Sequence, residues 1–153
     1  MKKGFLISLL LILVVVVTGC GTKEEEKILT CTMKGTVVEG TDINSTYKVT
    51  YKGDYVELVE STETVKSDNE QILSTYQKTV EAMYSPYKNV KYYDYKIDLK
   101  DGTLTSTATI NYAKIDTDKM LEINSANSTF IKDGKVAVSA IKQIYEQMGA
   151  TCK

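Results

Sequence analysis

The 153-residue chain contains no histidine and no tryptophan. Its 19 basic residues are all lysine, so arginine is missing as well, and proline occurs once, at Pro86. Each absence removes a kind of chemistry. Without histidine there is no Ser-His-Asp triad, no Cys-His pair and no imidazole metal ligand. Without arginine there is no bidentate fork for phosphate or guanine, and a pI near 5.6 argues against nucleic acid as a partner. The length suits one domain with a single core.

What is present is concentrated at the N-terminus. Lys2 and Lys3 precede an apolar run from Phe5 to Val17 that only Ser8 interrupts. Thirteen helical residues rise about 20 Å, short of the roughly 30 Å hydrocarbon core, so the run reads as a secretory signal rather than a span. Val17-Thr18-Gly19-Cys20 resembles the lipobox of bacterial lipoproteins. Its small residues admit a signal peptidase, and the Cys20 thiol receives diacylglycerol. Two or more acyl chains anchor a protein stably where one does not. The organisation expected is a signal peptide at 1–19, a lipidated cysteine and charged tether at 20–27, and a single domain at 28–153. Cleavage would leave 17 lysines against 20 acids, a net charge of −3.

With Cys20 lipidated, Cys31 and Cys152 remain, in a compartment where disulfides persist. Joining them would close a loop of about 120 residues, worth about 4–5 kcal/mol in the chain-entropy model, and would pin both ends of the domain. A redox pair is the alternative, without a C-x-x-C motif or a nearby histidine or arginine to stabilise a thiolate. Two thiols do not make a zinc set.

The domain changes period along its length. Ile28 to Val38 reads as a strand. Tyr47, Val49 and Tyr51 alternate with lysine and threonine, and Tyr55 to Val65 continues the meander after the Lys52-Gly53-Asp54 turn. Ser67 to Glu70 fits a capping box, with Ser67 as N-cap, ahead of a helix built on Ile72, Leu73, Tyr76, Val80, Met83 and Tyr84 and stopped by Pro86. A hairpin follows around Asp101-Gly102, with Tyr93, Tyr95, Ile97 and Leu99 on one face. Asp116 to Ile123 is a short helix. Phe130 and Ile131 lead into an Asp133-Gly134 turn, and a last helix from Ala137 to Met148 ends at Gly149. The pattern predicts an α+β domain, an antiparallel β-sheet of two hairpin or meander units with helices packed on one face and a Thr/Lys/Asp/Glu face left to solvent.

Tyr47 to Thr64, the Lys78-Thr79-Val80-Glu81 to Pro86-Tyr87-Lys88-Asn89-Val90 stretch, and the helix ending Met148-Gly149 are together similar to the YehR-like family of small bacterial lipoproteins. The Leu29-Thr30-Cys31-Thr32 start and the Gly149-Ala150-Thr151-Cys152-Lys153 end also resemble small exported lipoproteins of Gram-positive bacteria. The resemblance covers nearly all of the chain beyond the tether. It implies a lipid anchor and an α+β fold, and it carries over no catalytic residues. The Cys31 and Cys152 pair departs from that pattern.

Eleven tyrosines stand against two phenylalanines. Tyr84, Tyr87 and Tyr92 are the candidate binding surface, because a phenol ring offers apolar area with a polar tip. The competing reading is that tyrosine replaces phenylalanine on the sheet faces. Tyr92 leads the candidates, being expected on the face opposite Tyr93 and Tyr95. Asp94 and Asp98 lie roughly 13 Å apart on one strand face, beyond the reach of a paired-carboxylate glycosidase. The expected protein is a non-enzymatic binding or accessory lipoprotein on the outer face of a bacterial plasma membrane. It would take a cell-wall component, a small ligand or an envelope protein, with no metal, no cofactor beyond the lipid on Cys20, and no nucleic acid. The alternatives are a carboxylate-only hydrolase of wall glycan and a thiol redox protein using Cys31 and Cys152.

Overall fold

The computed structural model describes residues 24–153, so the signal segment, the lipobox with Cys20 and the first residues of the tether lie outside the described residues. The elements follow in the order β1 (Glu26–Val38), β2 (Thr41–Lys52), β3 (Tyr55–Ser67), α1 (Glu70–Tyr84), β4 (Tyr93–Lys100), β5 (Thr103–Asn111), α2 (Thr117–Ile123), β6 (Ile131–Lys132), β7 (Lys135–Val136), α3 (Val138–Gln147) and β8 (Thr151–Cys152). Six strands make one sheet in the order β4-β5-β3-β2-β1-β8, with every pairing antiparallel. The fold is α+β. β6 and β7 form a separate two-stranded hairpin.

Period-two burial decides which face the helices cover. In β2, Ser45, Tyr47 and Val49 are buried while Asn44, Thr46 and Lys48 are exposed. In β5, Leu104, Ser106 and Ala108 are buried against α1, which lies over β3, β4 and β5. α3 lies over β1 and β8. The main core gathers Val49, Val59, Tyr93, Met120, Val136 and Ile141. A smaller one holds Val65, Leu73 and Leu104 under the first turns of α1. Leu104 keeps only 1% of its surface, a burial worth about 1.5–3 kcal/mol.

Three local expectations change. β1 begins at Glu26, inside the stretch read as tether, because Glu26 and Lys27 pair with Lys52 and Tyr51 across the sheet. The N-cap of α1 is Asn69 rather than Ser67. The Asn69 Oδ1 accepts from the backbone N–H groups of Gln71 and Ile72 at 3.0 and 3.3 Å. Ser67 ends β3 instead, buried, its hydroxyl 2.9 Å from that of Thr41. The two-residue strand β8 has no alternating pattern in the sequence to disclose it, and the turn before it explains how it forms. Gly149 takes φ +95°, its N–H donates to the Glu146 carbonyl, and the Ala150 N–H donates to that of Tyr145. This is the two-bond helix stop that glycine permits at low cost. It sends Thr151 and Cys152 back along β1, opposite Thr32 and Cys31.

Candidate functional site

The tyrosines proposed as a surface are mostly interior. Tyr87 is 8% exposed and stacks on Tyr93 at 4.8 Å between ring centroids. Its hydroxyl accepts from the Asn127 side chain at 3.3 Å. Tyr84 lies half-buried against Tyr93 and Tyr95, at 6.4 and 5.4 Å. Both therefore leave the candidate surface: Tyr84 ends α1 on the face packed against β4, and the Ser85–Tyr87 turn brings Tyr87 onto Tyr93. Burial pushes the phenols of Tyr93, Tyr112 and Tyr145 well above their ordinary value, and those of Tyr47 and Tyr84 upward as well. Aromatic area here serves the core.

Tyr92 remains exposed, but not as a strand residue. It precedes β4 with φ +70°, a left-handed backbone unusual for a bulky side chain, so the alternation that opposed it to Tyr93 does not apply. The ammonium groups of Lys91 and Lys114 stand 4.8 and 5.8 Å from its ring centroid.

Cys31 and Cys152 form a disulfide. Cys31 is wholly buried beside Tyr47 and Ala150.

A polar row crosses the covered face. The strand registers align Met33, Ser45, Glu63, Ser106 and Ile97 side by side on five strands. Ser45 and Ser106 are buried, and the Ser45 hydroxyl donates to the Glu63 carboxylate at 2.9 Å. Glu63 has no cation within salt-bridge distance among the described residues. The sequence carries the signal: Ser45, Glu63 and Ser106 sit in phase with the apolar positions of their strands.

The clearest hollow lies elsewhere, at the end of the sheet where β1 begins. It measures about 690 Å³ and is lined in part by Tyr55, Phe130, Lys132, Asp133, Lys135 and Ser139. Lys132 and Lys135 are direct cross-strand partners in the two-pair hairpin. Their neighbours Ile131 and Val136 bury their side chains, which turns both lysines outward. The Lys135 ammonium lies 4.7 Å from the Tyr55 ring centroid, and Tyr55 is 48% exposed. The Ile131-Lys132-Asp133-Gly134-Lys135-Val136 run could have disclosed this pair, since a two-residue Asp-Gly turn fixes which residues face each other.

A second hollow, of about 660 Å³ at the opposite end, includes Asp68, Glu70 and Asp101. All three are exposed, and so are Asp94 and Asp98 on the outer face. Among the described residues no three His, Cys, Asp or Glu side chains are placed to share a metal ion.

An antiparallel sheet covered on one face, closed by a disulfide between its first and last strands, defines a small α+β domain with a hollow at each of its two ends. The family model described as a protein of unknown function, DUF1307, matches residues 30–151, and the chain belongs to that family. The uncharacterized lipoprotein YehR of Escherichia coli K12 is 33% identical over 130 residues, which cover 82% of this chain and 79% of that protein. The uncharacterized lipoprotein Lmo0207 of Listeria monocytogenes is 25% identical over 151 residues, covering 97% and 94%. The solution structure of E. coli YehR superposes with a TM-score of 0.55 at 20% identity, over 84% of this chain and 91% of that one, a likeness of fold. The resemblance drawn from the sequence holds. Among the described residues no helix is long and apolar enough to cross a membrane.

Proposed function

We propose that this protein is a lipoprotein tethered through Cys20 to the outer face of a bacterial plasma membrane, where it acts as a non-enzymatic binding domain. The observation that carries the binding role is the hollow around Tyr55, Lys132 and Lys135. It offers cations, aromatic surface and a hydroxyl, which recognise a ligand, and it holds no pairing of a nucleophile with a base, which would transform one. Support for the anchor comes from the lipobox and from relatives that are named lipoproteins. The disulfide fits an oxidising compartment.

Intact mass of protein extracted from its native membrane tests the anchor. The expected mass begins at Cys20 and includes diacylglycerol, and Cys20→Ala abolishes the lipid and leaves the protein uncleaved by the lipoprotein peptidase. Labelling of intact cells with a membrane-impermeant amine reagent tests the side. Lysines that react only after lysis would overturn the outer-face assignment.

A further inference from the structure

We propose that the hollow between β6–β7 and α3 binds a phosphoglycerol-type anion, a phosphate ester carried on a short polyol. The argument starts from a repulsion. Lys132 and Lys135 face each other directly across one rung of a hairpin that has only two rungs. Like charges so placed destabilise a strand pair. Neither lysine has a carboxylate within salt-bridge distance among the described residues. The Asp133-Gly134 turn holds them there, both residues at positive φ, +51° and +70°, as a tight two-residue hairpin demands. An anion seated between the two ammonium groups converts the repulsion into two charge-assisted hydrogen bonds.

The rest of the lining selects what the anion carries. Tyr55 and Phe130 offer ring faces suited to the C–H side of a polyol. Ser139, Gln143 and the Asp133 carboxylate supply partners for its hydroxyls. A volume of about 690 Å³ fits a small ligand. A bare dicarboxylate would leave those hydroxyl partners unused, and a nucleotide base would find no arginine or buried slot.

Position adds a source. Tyr55 follows the β2–β3 turn, whose Lys52 pairs with Glu26 at the start of β1. Glu26 lies six residues beyond Cys20, at most about 20 Å of extended chain. On the lipid-anchor reading above, on which this placement rests, the hollow stands within reach of the headgroups of the same bilayer. The chemistry of the hollow does not depend on that reading.

The test reads lysine reactivity by mass spectrometry on the full lipidated protein reconstituted in vesicles. One set is phosphatidylcholine alone, a second contains 30 mol% phosphatidylglycerol, and a third is phosphatidylcholine with free glycerol 1-phosphate added. Acetylation of Lys132 and Lys135 is expected to slow at least threefold with phosphoglycerol present, while Lys48 and Lys100 are unchanged. Tyr55→Ala keeps both lysines and is expected to halve that protection or more. Protection only with phosphatidylglycerol identifies the bilayer as the source. Protection by free glycerol 1-phosphate as well identifies a soluble or polymeric polyol phosphate. Equal rates in all three preparations, or slowing shared by every lysine, overturns the proposal. Failure of the anchor shows separately, as protein that carries no lipid and does not sediment with vesicles; the glycerol 1-phosphate arm then still tests the hollow in solution.

Discussion

Cys31 and Cys152 face each other across β1 and β8 as a pair that exchanges no backbone hydrogen bonds, flanked by Thr30 and Lys153, which exchange two at 2.9 Å. In an antiparallel ladder such unbonded pairs bring their side chains closest, the geometry a cross-strand disulfide needs. The bond joins residues 121 apart and secures a strand that is two residues long.

Loss of this bond should be costly. Cys31→Ala with Cys152→Ala is expected to lower unfolding stability by about 4–5 kcal/mol, read from urea denaturation. Because Cys31 is fully buried, the native disulfide should resist mild dithiols and become reducible in step with unfolding. Ready reduction of the folded protein, with stability unchanged, would favour a redox role instead.

The helix cap is open to a direct comparison. Asn69→Ala removes the acceptor for two N–H groups and should cost about 1 kcal/mol. Asn69→Asp should cost little, since its carboxylate keeps the acceptor at the positive end of α1. Equal losses for both variants in thermal melts would show that Asn69 does not act as the cap.

Tyr92 sits in the left-handed region at φ +70°, where an L side chain costs about 1–2 kcal/mol. Tyr92→Gly relieves that cost while giving up a half-exposed ring and its lysine contacts. The variant should be as stable as the parent, or up to about 1 kcal/mol more so. A loss above 1 kcal/mol would mean that the ring anchors this corner of the sheet.

The polar row predicts non-additive behaviour. Ser45→Ala alone strips a donor from a half-buried carboxylate and should destabilise by about 1 kcal/mol. Adding Glu63→Leu removes the stranded charge and should recover that loss or exceed it. A double variant weaker than Ser45→Ala would show that Glu63 secures the covering helix.

Alkaline unfolding follows from the buried phenols. Tyr93, Tyr112, Tyr145, Tyr47 and Tyr84 have their pKa raised in the folded state, chiefly by burial. A raised folded pKa means that stability is complete below the unfolded value of about 10 and declines as pH climbs above it. Phenolate absorbance near 295 nm should therefore show part of the tyrosines ionising only together with the loss of sheet circular dichroism. Full ionisation with the sheet intact would contradict the packing described.

Much of this fold is written in local pattern. Alternation in β2 and β5, the Asp101-Gly102 and Asp133-Gly134 turns and the helical spacing of α1 each depend on near neighbours, so a linear reading recovers them. The tyrosines show where it stops. Tyr84, Tyr87 and Tyr92 look alike in sequence, yet the packed face of α1 and the turn around Pro86 send two rings inward, and the left-handed Tyr92 before β4 stays outside. The Glu63 row and the closeness of Tyr55 to Lys135 require knowing which strand lies beside which.

The sequence by itself determined the α+β class and the boundaries of most elements, because each rests on periodicity and composition among near neighbours. Only the tertiary structure decided that Ala150 to Lys153 would join the sheet, that Tyr47, Tyr87 and Tyr93 would be buried while Tyr55 and Tyr92 stay exposed, and that two lysines would stand over an open hollow. Those outcomes depend on strand order and chain reversal, which set distances between residues far apart along the chain.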